Sequence, residues 1–107
     1  MMNKKMSCII EYDKFPYIEE AWTHAEEFLI TAAAQKNRNQ FERYVDFGDT
    51  PFAMQEILWD PQTSGGLMFA VAKEHADAML ADLEAAGIPS AIVGEIIEKT
   101  EVEITVK

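Results

Sequence analysis

The run Asp60-Pro61-Gln62-Thr63-Ser64-Gly65-Gly66 constrains this chain more than any other stretch. Proline fixes one backbone angle and donates no amide hydrogen, and paired glycines permit left-handed backbone and close approach by another group. No regular element passes through such a string, so it has to be a turn between two elements. Thr63 and Ser64 add hydroxyl donors, and Asp60 can accept hydrogen bonds from turn amides. A concave run of amides and hydroxyls can hold a phosphate-like oxyanion. It can equally be a tight connection into a buried strand. It is not a P-loop, because Leu67 stands where the lysine should follow the glycines.

The turn divides two kinds of pattern. Upstream, Ser7–Tyr12 is short and β-branched, and reads as an edge-type strand stopped by Phe15-Pro16. Ile18, Ala21, Trp22, Ala25, Phe28, Leu29 and Ala32 then recur at helical spacing, predicting one long helix over 17–34 with glutamates near its positive end. Gln35–Gln40 is a polar interruption, and a short strand is expected around Tyr44 and Val45. Gly48-Asp49-Thr50-Pro51 reads as a turn into a short helix, with Thr50 as N-cap and Pro51 at the first helical position. Phe52, Ile57 and Leu58 should face inward from it.

Downstream of the glycines, Leu67–Ala72 is a continuous apolar run, as expected of a strand covered on both faces. Ala76, Met79, Leu80, Leu83 and Ala86 form a second helical stripe, with Gly87 as its C′ residue. Ala91–Ile97 is another apolar strand. After a turn at Lys99-Thr100, Val102, Ile104 and Val106 alternate with polar residues in a final strand. The expected class is α+β or mixed α/β, with helices packed on a largely antiparallel mixed sheet.

The 107 residues are one domain's worth, from 1 to 107. Nineteen acidic against nine basic side chains give a net charge of −10. That field opposes a nucleic-acid partner and would repel ATP unless local donors or a basic neighbour intervened. Cys8 is the single cysteine, which excludes a disulfide framework and a thiolate metal cluster. Neither a signal peptide nor a membrane-spanning run is present, so the expectation is a cytoplasmic chain with no membrane partner.

The string Asp60–Leu67 leading into an apolar strand is similar to the hallmark of the C-terminal domain of selenophosphate synthetases, within the wider aminoimidazole-ribonucleotide-synthetase superfamily. Phe15-Pro16-Tyr17-Ile18-Glu19-Glu20-Ala21 resembles the family's proline before an alanine-rich helix. Ala32-Ala33-Ala34 and Arg38-Asn39 resemble its small-residue turn and arginine-asparagine pair. Ala91–Ile96 resembles its isoleucine-glycine-glutamate strand, so the likeness runs from about Ile9 to Val106. The family usually has glycine in the turn before the arginine, whereas this chain has alanines, which implies a helix that runs further.

The resemblance implies a two-domain enzyme making selenophosphate, AMP and phosphate from selenide, ATP and water. An N-terminal ATP-binding domain, absent from this sequence, would supply the catalytic cysteine or selenocysteine, a lysine, metal-binding aspartates and most of a dimer interface. On that reading this chain has no catalytic residue or metal ligand and binds no cofactor alone; ATP and magnesium belong to the full-length enzyme. Its partner is the ATP-binding domain or a companion chain, with a homo-oligomer as a further expectation. The loop residues Asp60, Gln62, Thr63, Ser64, Gly65 and Gly66 would face phosphate or the other domain, and Arg38 and Asn39 would reach the cleft. The alternative is a stand-alone, non-enzymatic module that binds a protein or small anion. A third reading, another branch of the superfamily with a different phosphorylated substrate, is opposed by the glutamine-threonine-serine of the loop.

The remaining conspicuous residues carry plainer readings. His24 and His75 lack a second ligand at helical spacing and are expected on the surface. Cys8 reads as a strand residue without a basic partner. Trp22 and Trp59 read as packing residues.

Overall fold

The computed structural model describes residues 5–62 and 65–107. In chain order the elements are β1 (Met6–Ile10), α1 (Glu19–Glu26), α2 (Ala32–Phe41), β2 (Val45–Asp46), α3 (Phe52–Trp59), α4 (Lys73–Ala85), β3 (Gly94–Glu98) and β4 (Ile104–Val106). Four helices and a four-stranded mixed sheet place the chain in the α+β class.

The sheet order is β2-β4-β1-β3. β1 is therefore an interior strand and not the edge expected from its charged flanks. It pairs antiparallel with β3 and parallel with β4, and β2 pairs parallel with β4. The sheet is mixed, as expected, though only one of its three joints is antiparallel. The turn at Lys99-Thr100 does not make a hairpin, because β1 lies between the strands it connects.

The connection instead arches over the start of β1, and buried Ser7 pins it. Ser7 Oγ donates to the Val102 carbonyl at 2.6 Å and accepts from the Thr100 amide at 3.0 Å. A Lys99–Glu103 ion pair at 2.6 Å spans the arch. A hydroxyl serves here because the arch turns backbone donors and acceptors inward, where they need partners. Gly94 closes the other joint. A Cβ on it would stand 2.0 Å from the Ile9 carbonyl oxygen, so β3 can approach β1 this closely only without a side chain.

The predicted long helix is two helices. α1 ends after Glu26 in a Schellman motif: the Phe28 amide bonds the Ala25 carbonyl and the Leu29 amide bonds that of His24. Phe28 takes the left-handed position, φ +59°. Thr31 then caps α2, its hydroxyl accepting from the Ala34 amide at 3.0 Å. The polar stretch 35–40 lies inside α2, so it is a solvated helical face and not an interruption. Capping at Thr31 prevailed over the continuous apolar stripe because α1 and α3, eight residues each, pack side by side and need no further length.

That packing makes the core: Ala25, Ala53, Met54 and Ile57 are buried, with Tyr12, Ala21, Trp22 and Leu58 against them. Fully burying a side chain such as Met54 contributes roughly 1.5–3 kcal/mol. Phe52, expected inward, lies exposed at the start of α3, stacked on Phe28 at 5.4 Å. The α3 N-terminus is shifted by one residue from expectation. Pro51 is the N-cap, and the buried Thr50 hydroxyl bonds nothing. The Thr50 amide instead closes the turn onto Phe47, and its carbonyl accepts from the Gln55 side chain.

The largest departure is Leu67–Ala72. It forms no strand, and its side chains face solvent, Leu67 being 83% and Phe69 58% exposed. The apolar run shows a segment that favours burial, yet nothing among the described residues covers it. α4 follows as expected, ending in a second Schellman motif with Gly87 at φ +74°, but none of its residues is buried.

Candidate functional site

The helical ends around the hallmark loop converge on a cleft of about 220 Å³ lined by His24, Leu29, Thr31, Glu56, Asp60 and Gln62, among others. Asp60 ends α3 and ties the elements together. One carboxylate oxygen accepts from the Thr31 hydroxyl at 2.8 Å, the other from the Gln62 amide at 3.3 Å. Thr31 in turn caps α2, so one carboxylate is linked to the positive end of α2 through a hydroxyl. Asn37 Nδ2 donates to the Trp59 carbonyl at 2.9 Å, satisfying an orphan acceptor at the end of α3.

Beneath this, Arg38 reaches from α2 to Glu56 of α3. Glu56 is only 3% exposed, so its charge depends on that guanidinium. Arg38 also lies over the Phe52 ring, 5.2 Å from its centre. Arg38 Nε and Glu56 Oε2 are buried without hydrogen-bond partners, so the pair bonds through a single arm of the guanidinium.

Each expected site residue can now be placed. Asp60 and Gln62 line the cleft. Gln62 holds a left-handed φ of +41° and accepts from the Gly65 amide at 2.7 Å. Gly65 serves close approach, since a Cβ there would meet Gln62 Cβ and its carbonyl oxygen at 2.9 Å. Gly66 meets nothing. Thr63 and Ser64 lie outside the described residues. Arg38 is engaged within the fold, and Asn39 is exposed, its side chain making no hydrogen bond among the described residues. Asn37, Glu56 and Thr31 were missed by sequence reading. A threonine three residues before a helical alanine was a usable capping signal for Thr31, whereas Glu56 on an apolar helix gave only the oddity of a lone charge.

Of the residues read as structural, Trp59 is buried against Phe47 at 5.4 Å and Trp22 packs on the core. His24 and His75 are exposed. Burial pushes the Cys8 thiol up from its ordinary value, the reverse of an activated nucleophile.

Chemically, the cleft's polar lining is rich in acceptors, the carboxylates of Glu56 and Asp60 foremost, while the Arg38 guanidinium is already paired. These described residues do not fit a nucleotide phosphate, and no group of three His, Cys, Asp or Glu among them could hold a metal. No described helix is long and apolar enough to cross a membrane.

Comparison with known proteins agrees with this architecture. A family model described as AIR synthase related protein, C-terminal domain, matches residues 1–107. A selenide, water dikinase of Agathobacter rectalis is 47% identical over 107 residues, covering 99% of this chain and 31% of that protein. One from Desulfitobacterium hafniense is 44% identical over 92 residues, 86% of this chain and 27% of the relative. One from Clostridioides difficile is 38% identical over 104 residues, 95% of this chain and 30% of the relative. The chain thus spans about a third of the length of the curated relatives it matches. With its α+β layers, its Asp60–Gly66 turn and this coverage from end to end, the chain belongs to the family of AIR synthase related C-terminal domains.

Proposed function

We propose that this chain is the C-terminal domain of a selenophosphate synthetase and acts only beside an ATP-binding half. The observation that carries the reading is the 47% identity across 99% of the chain to a selenide, water dikinase three times as long. In that arrangement the companion half supplies nucleotide, magnesium and nucleophile. Asp60, Gln62, Gly65 and Gly66 line the surface turned towards it. Asn39 is free to meet it, and Arg38 acts indirectly by holding Glu56 and the α2–α3 pair. Phosphoryl transfer needs metal-bridged phosphates and a positioned nucleophile. The described residues offer acceptors and one deactivated thiol, which supports assigning the chemistry to the other half.

The test measures AMP from ATP and selenide with the chain alone, and with an ATP-binding half of a relative added. The chain alone should give no AMP above a protein-free control, and the mixture should give more than the half by itself. AMP made by the isolated chain would overturn its inactivity. Failure of the two pieces to associate in calorimetry would favour a stand-alone binding module.

A further inference from the structure

We propose that the cleft at Asp60 receives a guanidinium group, carried as an arginine side chain by the companion half. The inference rests on the functional reading above and names the chemistry of that contact. What the cleft offers is acceptors. Asp60 accepts from the Thr31 hydroxyl and the Gln62 amide, which fills two of about four lone-pair sites on its carboxylate. Gln62 Nε2 donates to the Ile57 carbonyl at 3.5 Å, and its Oε1 has no donor among the described residues.

Glu56 supplies a second, independent observation. It lines the cleft and is only 3% exposed, and its Oε2 is buried with no hydrogen-bond donor among the described residues. Arg38 bonds the other oxygen, so those two charges cancel. The Asp60 charge is left without a cation beside it among the described residues. Helix ends act in the same direction. The last turn of α1 brings His24 and Ala25 to the cleft, and the end of α3 brings Ile57. Two negative helix ends thus face the single positive end of α2, which Thr31 and Asp60 already engage.

Size and walls select the group. At about 220 Å³ the cleft is smaller than the roughly 300–1,000 Å³ of pockets for whole small molecules, and suits the head of one side chain. Ala21, Leu29 and Ile57 give it apolar walls. A guanidinium is more weakly hydrated than an ammonium, and its planar fork of donors matches a carboxylate. Charge selects the partner, since a chain at −10 favours a companion surface that is basic.

The test titrates the 107-residue chain with ethylguanidinium and with neutral ethylurea, following amide shifts by NMR. Ethylguanidinium should shift the amides of Leu29, Thr31 and Gln62, and ethylurea should not. Asp60→Asn should weaken binding about 10-fold or more. Leu29→Arg, at an exposed position on the rim, tethers a competing guanidinium and should abolish the shifts, whereas Leu29→Gln keeps them. Adding an ATP-binding half of a relative should displace the probe. Equal response to ethylurea, or shifts that survive both Asp60→Asn and Leu29→Arg, would overturn the site while leaving association of the two halves untouched. Association without displacement of the probe would overturn the companion as its source. Probe binding with no association would uphold the site's chemistry and overturn the functional reading instead.

Discussion

α1 and α4 are both amphipathic, yet they meet opposite fates. α1 is eight residues long and sets Ala25 and Trp22 against α3. α4 is longer, at 13 residues, and it buries none of them. A stripe states that a face favours cover, and the cover itself comes from elsewhere in the chain or from a partner. Their C-termini sharpen the contrast. Both end in a Schellman motif, one with Gly87 in the left-handed position and the other with Phe28. Glycine takes that conformation freely, whereas an ordinary residue there costs roughly 1–2 kcal/mol. The strain at Phe28 is held by Thr31 and Asp60, which fix where α2 must begin.

The contrast between a knitted half and an uncovered half can be broken at the joint. Gly94→Ala forces β3 away from Ile9 and should cost about 3 kcal/mol or more in urea unfolding. If 67–98 hangs on the sheet chiefly through β1–β3, its amides should lose protection before those of α1 and α3. Within the knitted half, Arg38→Ala strands the buried Glu56 carboxylate and should cost about 3 kcal/mol, most of it recovered in Arg38→Met/Glu56→Leu. Equal instability of the double variant would mean that the pair contributes packing and not charge. Ser7→Ala leaves the Thr100 amide unpaired, while the Val102 carbonyl keeps the Thr100 hydroxyl, for about 1 kcal/mol, read as a lower urea midpoint. The smallest effect has the opposite sign. Phe28→Gly should raise stability by about 1 kcal/mol, while Gly87→Ala should lower it by about the same. A loss on Phe28→Gly would show that the Phe28–Phe52 stack outweighs the backbone strain.

Much of the fold was legible because its signals are local. Proline and glycine marked the loop, alternation marked β4, and Gly87 marked the end of α4. The strand order was not legible, since β1, β3 and β4 are all apolar enough to sit anywhere in a sheet. The break at Phe28 was invisible for a related reason: a phenylalanine on an apolar stripe predicts continuation. At the site, Asp60 and Gln62 were found through their motif. Glu56 and Asn37 were not, because each is defined by a partner about twenty residues away.

By itself the sequence determined the class of the chain, its family and the place of the turn at Asp60–Gly66, since these rest on neighbours along the backbone. The tertiary structure alone decided that Arg38 is paired inside the fold, that Ser7 pins an arch and that the apolar run after Gly66 stands uncovered. Such facts depend on which surfaces meet, and residue type specifies only that a surface favours meeting something.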